Sequence, residues 1–430
     1  MTNKFDKPFV DYPELVTNLH KRGLKIQDVS VATDLLRTYG YYPLINGFKK
    51  TFLLNTDEEL YHSDASLEQI FAQFVIDFQF QELFLTSVLQ IENHFKNAIG
   101  YSVAKAFGVN DHTSDDENNP DPSVQSYLRP DLYRNSGSAK VNSTIRFIRQ
   151  KVLTSEDNPV AYYRESKNHI PPWILMDNMM LGTAIKYFQI LPSNLKNEVC
   201  NELVDSFEDE NMDQKKALIL STLEILRQFR NAAAHSAPMY LQRVSQDNDP
   251  SLNSLTAYLG EEISNNSERS KGIGTKNLYA ALISLIFLNR NLGSRTNLIT
   301  KLSALQRQYL QSEDSLLIET YNRYLISAGL PTDYIRRLET ANLTLNDNRF
   351  EDYRLSVPNT DGSGETYIGN IHLPKNPDYG IAQDKNVFIT TSGKKYHKNK
   401  LCPVIKGKNF NKISLMSAIQ SGHTPCSRCK

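Results

Sequence analysis

Nowhere in the 430 residues is there an uninterrupted apolar run of about 18, the length a membrane-spanning helix needs. The nearest segment, LYAALISLIFL, has the length of a buried core helix instead. The opening MTNKFDKPFVDY lacks an apolar signal region, so the expectation is a cytoplasmic protein with no membrane partner. Cysteine is scarce. Cys200 stands alone, while Cys402, Cys426 and Cys429 crowd into the end of the chain, which in a reducing compartment reads as metal binding sooner than as a disulfide framework. Carboxylates are missing altogether from Lys385 to Lys430, where nine lysines and one arginine stand. Setting those ten aside leaves 38 basic and 48 acidic side chains in residues 1–384. A chain of zero net charge is therefore an acidic body with a strongly basic tail, the pattern of a polyanion-binding appendage; the bland alternative is a tail that is merely soluble. No fixed-period repeat is present.

What remains is ordinary for a globular protein: 40% hydrophobic and 22% charged residues. The length predicts two or three units, and the body reads as mostly α. YPELVTNLHKRG stops at Gly23, and a second helix runs through Leu36. The apolar stretch from Ser66 to Gly108 predicts one or two long core helices, with Ser66 or Asp64 as N-cap and Gly108 as stop. Residues 109–142, dense in Asp, Asn, Ser and Pro, read as a long surface loop. Helical periodicity then resumes to about residue 345. Residues 346–384 are rich in Pro, Gly, Asn and Asp and read as a linker; the tail from 385 opens with NVFITT, a candidate strand.

One short stretch stands out, LEILRQFRNAAAHSAP. On a helix Leu218, Ile219, Leu223, Ile225, Leu226 and Phe229 form a broad apolar arc, and Arg230 falls inside it. Asn231 and His235, four apart, share one flank. An arginine on a core-facing stripe must snorkel, pair with a carboxylate, or face a cleft that takes an anion. The three alanines leave room for close approach, and Pro238 is expected to end the helix with His235 near the rim. These residues suit metal-independent RNA cleavage: histidine as general acid or base near neutrality, arginine on the phosphate, asparagine as an orienting group. The short motif lacks a second acid or base, which a symmetric dimer would supply. The same arginine–histidine spacing recurs at Arg164 and His169, outside strong apolar periodicity, and is ranked as a decoy.

KPFVDYPELVTNLHKRGLKIQD followed by YGYYPLINGF resembles the start of the Abi-like (abortive infection) proteins of bacterial phage defence. LQIENHFKNAIGYSVAKAFG, PPWILMDNMMLGTAIKYF, FRNAAAH and ISAGLPTDYI follow in that family's order, so the resemblance covers roughly residues 7–343. One departure is Pro43, where family members commonly place a basic residue after the double tyrosine. The family looks like a branch of the HEPN superfamily, whose R-x4-6-H motif serves metal-independent ribonucleases. The resemblance thus implies a HEPN-like helical bundle and an endoribonuclease with Arg230 and His235 as motif ends and Asn231 between them. It also implies RNA as substrate, products with 2′,3′-cyclic phosphate and 5′-hydroxyl ends, and a homodimer. Glu92 and Lys96 match an E-x-x-x-K that supports the cleft, or they form a plain i,i+4 salt bridge. Whether a small RNA or a protein antitoxin restrains such an enzyme is left open.

In the tail, His397 precedes Cys402 by five residues and Cys426 pairs with Cys429 as C-x-x-C, a four-ligand set for structural zinc. His423 is a substitute ligand. The segment resembles the Ada-type metal-binding module and small zinc tails of nucleases. Lys394, Lys395, Lys398, Lys400, Lys406, Lys408 and Arg428 around it are expected to touch RNA phosphates without reading sequence. Two rivals stand beside the nuclease: a non-catalytic RNA-binding protein, and a helical scaffold in which Arg230 pairs with a core carboxylate such as Glu92.

Overall fold

The computed structural model describes residues 8–112, 125–204, 212–244, 255, 259–346, 350–358, 365–374, 386–391, 393–397, 402–414, 418, 421, 423–426 and 428. The chain divides into two compact units. The first, holding residues 1–347 and 353–372, is mainly helical: α1 (Tyr12–Lys21), α2 (Val29–Tyr39), α3 (Leu67–Phe107), α4 (Ala139–Phe147), α5 (Val160–Ser166), α6 (Pro172–Asp177), α7 (Leu181–Ile190), α8 (Ser193–Leu203), α9 (Met212–Ala234), α10 (Asn266–Ser270), α11 (Leu278–Leu288), α12 (Leu292–Leu310), α13 (Ser315–Ala328) and α14 (Tyr334–Asn346).

The long apolar stretch folds as one helix. At 41 residues, α3 is about 60 Å long and is the axis against which α6, α8, α9, α11, α12 and α13 pack. Its start is written locally: the Ser66 hydroxyl accepts from the Gln69 N–H at 3.2 Å, and the Gln69 side chain accepts from the Ser66 N–H at 3.0 Å. Gly108, at φ +80°, closes it. Phe80, Phe84, Val88, Ile91, Phe95 and Ile99 bury its core face. Where α6 crosses α3, a Cβ on Gly100 would stand 3.0 Å from the Trp173 Cα, so a larger residue would push the two backbones a few tenths of an ångström apart. In α11 every residue is buried.

Two expectations are corrected. Residues 125–133 are not a surface loop, because Tyr127, Leu128 and Tyr133 are buried, whereas 134–137 are exposed turn before α4. Tyr127 donates to the Ile170 carbonyl at 2.8 Å, and the Tyr133 and Tyr187 hydroxyls meet at 2.6 Å; satisfied hydroxyls let the rings enter the core. Residues 113–124 of that expected loop lie outside the described residues. The supposed linker contains β3 (Phe350–Pro358) and β4 (Glu365–Pro374), which pair with each other. Earlier in the chain, β1 (Leu53–Asn55) and β2 (Leu60–Tyr61) form a small antiparallel pair.

The second unit holds a four-stranded sheet in the order β7 (Phe410–Ser414), β5 (Asn386–Thr390), β6 (Lys395–His397), β8 (Thr424–Pro425). β5 runs antiparallel to β6 and β7, while β6 and β8 are parallel. NVFITT is thus the strand expected.

Candidate functional site

The motif sits at the C-terminus of α9, whose apolar arc is buried: Ile219, Leu223, Ile225, Leu226 and Phe229 are fully enclosed. The helix ends four residues before Pro238. The Ala237 N–H bonds to the Ala232 carbonyl at 2.8 Å and the Ser236 N–H to the Ala233 carbonyl at 3.1 Å, with Ser236 at φ +53°. That is a Schellman turn with a serine in the left-handed position, and it makes His235 the capping residue. Pro238 therefore follows the stop and does not cause it. The next residues are anchored to α3: the Asp77 carboxylate accepts from the N–H groups of Met239 (3.0 Å) and Tyr240 (2.9 Å), and Gln81 donates to the Ala237 carbonyl.

Glu92, Lys96 and Arg230 come together. Lys96 Nζ lies 2.8 Å from Glu92 Oε1, and Arg230 Nε lies 3.7 Å from Glu92 Oε2. Glu92 and Lys96 are buried and Arg230 is partly open, with 29% of its side chain exposed. The i,i+4 pair does form, but inside the core, where one carboxylate is bracketed by two cations. Arg230 Nε and Glu92 Oε2 are both buried and have no hydrogen-bond partner, so the contact is an ion pair without hydrogen-bond geometry. A charge pair this enclosed holds the guanidinium against α3.

On its other side Arg230 looks into a cleft of about 1040 Å³ walled by α4, α7, α8 and α9, with Asn231 beside it. His235 is exposed and does not belong to the cleft wall. By helical spacing it falls about 140° from Arg230 and about 40° from Asn231. Within this chain, then, Arg230 and Asn231 line the cleft, and His235 stands on the Asn231 flank beyond its wall. At the other copy of the spacing, Arg164 donates to the carbonyls of Leu153 (3.0 Å) and Ser155 (2.8 Å), and His169 contacts Asn168 at 2.7 Å. Arg164 there tethers backbone.

In the second unit His397, Cys402 and Cys426 are buried, and one ligand atom of each lies within 4.8 Å of the other two. The pairing of β6 with β8 brings this about. Tyr396 stands opposite Pro425, and the Cys426 N–H bonds to the Tyr396 carbonyl at 3.0 Å, so His397 and Cys426 occupy the next positions along. His397 Nδ1 and Cys402 Sγ are 3.3 Å apart. Burial, helped by Lys408 and Lys395, lowers the His397 pKa and favours the neutral imidazole that ligates metals. Two thiols outside any disulfide and a neutral imidazole converging under cover fit a metal ion, and this group could hold one. His423 is half-buried, with its Nδ1 3.0 Å from the Ser421 hydroxyl. Cys429, Lys398 and Lys400 lie outside the described residues. Lys394, Lys395, Lys406, Lys408 and Arg428 are exposed.

Residues 34–241, just under half of the chain, match the family described as Abi-like protein. The match takes in α3, α9, the cleft and the motif, but not KPFVDYPELV at the start, ISAGLPTDYI, or the second unit. No curated protein and no solved structure matches the chain. Among the described residues no helix is long and apolar enough to cross a membrane.

Proposed function

We propose that the protein is a metal-independent endoribonuclease of the abortive-infection type, with Arg230, Asn231 and His235 as its site. The observation that carries this reading is the placement of Arg230 and Asn231 in the wall of a cation-lined cleft inside the Abi-like stretch. In the reaction the 2′-oxygen attacks phosphorus and the bond to the 5′-oxygen breaks, leaving a 2′,3′-cyclic phosphate and a 5′-hydroxyl. His235 takes the 2′-hydroxyl proton or supplies one to the leaving oxygen. Arg230, steadied by Glu92, holds the phosphate and answers the charge that develops on it, and Asn231 orients the strand. His235 faces solvent at the end of α9, so a second copy completes the acid–base pair and the working form is a homodimer.

Zinc in the second unit is part of the same proposal. His397, Cys402, Cys426 and Cys429 would hold it, and a site closed by four protein ligands is structural. The exposed lysines around it add phosphate contacts.

The exposed His235 also favours a second reading, in which the cleft only holds RNA. Incubating wild type and His235→Ala with a mixed RNA pool in EDTA separates the two. The nuclease reading expects wild-type cleavage to cyclic-phosphate ends and a loss of at least about 10²-fold in the variant with its helical content unchanged. The holding reading expects no cleavage by either protein and equal RNA affinity.

A further inference from the structure

We infer that the cleft between α4, α7, α8 and α9 is a track for a single-stranded RNA, with its cations on the phosphates and Phe147 stacking an unpaired base. The choice of RNA over DNA rests on the ribonuclease reading of Arg230 and His235; the strand track itself does not. Nothing in the motif specifies this cleft, because most of its cations lie outside α9.

The first observation is charge. Residues 1–384 carry an excess of acidic side chains, yet this cleft draws together Arg134, Lys140, Lys186, Lys196, Lys216 and Arg230. Its two carboxylates are already engaged: Asp213 lies 2.7 Å from Lys216, and Glu224 accepts from Arg227 at 2.9 Å. Lys140, Lys186 and Lys196 have no carboxylate partner among the described residues, and Arg134 reaches Asp213 only as a through-space charge. The crowding is felt at Lys196, whose ammonium is pushed down to about 8 by burial and by the repulsion of Arg134, Lys216 and Lys140. Cations assembled against their own repulsion are relieved by a polyanion.

The second observation is apolar. Phe147, the last residue of α4, lines the same cleft with 43% of its surface exposed, and Met180 lines it with 66% exposed. An aromatic face left open between cations serves a stacked base, which a paired duplex cannot present. A bare polyphosphate would leave it idle.

The test uses the full chain and a fluorescent 2′-O-methyl oligouridine of about 12 nucleotides, which binds but cannot be cleaved by 2′-oxygen attack. Anisotropy titrations across salt compare wild type with Lys140→Gln/Lys186→Gln/Lys196→Gln and with Phe147→Ala. The track predicts at least tenfold weaker binding by the triple variant and a salt slope smaller by about 2, since each phosphate contact on a single strand contributes about 0.7. It predicts that Phe147→Ala weakens the single strand about tenfold and leaves a duplex of equal length unaffected. Circular dichroism checks folding, and the exposed Lys140 and Lys186 tolerate glutamine in any case. Wild-type affinity in the triple variant overturns the track, as does a Phe147→Ala effect equal on strand and duplex. If the variants lose binding while wild type leaves unmodified RNA intact, the track stands and the ribonuclease reading falls.

Discussion

Asp77 is fully buried on α3 and accepts hydrogen bonds from Met239, Tyr240, Tyr324 and Gln81. Burial pushes its carboxyl from 3.8 up to about 6, against the opposing pull of those donors. The folded protein therefore holds this proton more tightly than the unfolded chain does, and the stability it contributes is complete below about pH 4 and lost as pH rises through about 6. Measured against Asp77→Asn by urea unfolding, wild type should lose about 3 kcal/mol between those limits; a difference that stays flat with pH would exclude the shift. The residue matters to the site because it anchors the segment that follows His235. In the sequence it is one acid among forty-eight, and its role follows from partners more than a hundred residues away. Arg230 was more legible: an arginine inside an apolar arc called for a carboxylate or a cleft, and it has both.

Among the elements, α3 was legible in its apolar face and stop glycine, while the choice of one helix over two and of Ser66 over Asp64 as N-cap came from the structure. The end of α9 was legible only in part. Ser236 occupies a left-handed position that glycine holds without strain, so Ser236→Gly should raise stability by about 0.5–1 kcal/mol with His235 kept in place; a thermal melt reads it, and a lowered melting temperature would contradict the Schellman turn. Two segments went unread for the same reason. The tyrosines of residues 125–142 were outvoted by the polar residues around them, although Tyr127 and Tyr133 go into the core. In β3, the alternation of Tyr353, Leu355 and Val357 was obscured by flanking Asp, Asn and Pro.

For the whole molecule, the two units differ in how they are held. The helical unit has an extensive apolar core, whereas among the described residues the second unit's buried apolar side chains are Val387, Cys402, Ile405, Ala418 and Cys426, with Phe388 and Val404 packed against them. So small a core calls for a staple. One zinc per chain should appear in native mass spectrometry. Cys426→Ser should lose it and make residues 386–430 sensitive to protease while the helical signal at 222 nm, set by the first unit, is unchanged. Protection that survives without metal would show that the second unit stands on its own core.

Local order was available from the chain alone. Helical periodicity, the stop glycine of α3, the strand at NVFITT and the arginine–histidine spacing all depend on neighbours within a few residues, which is the range over which backbone propensity and amphipathic pattern act. The convergence of distant charges was not. The chain could name Glu92 as a partner for Arg230 and His397 and Cys426 as co-ligands, but that these pairs meet, and that cations from several helices face one cleft, depended on how helices cross and how strands register. Those choices are made by packing over the whole core, where one side chain's position is set by contacts far along the chain.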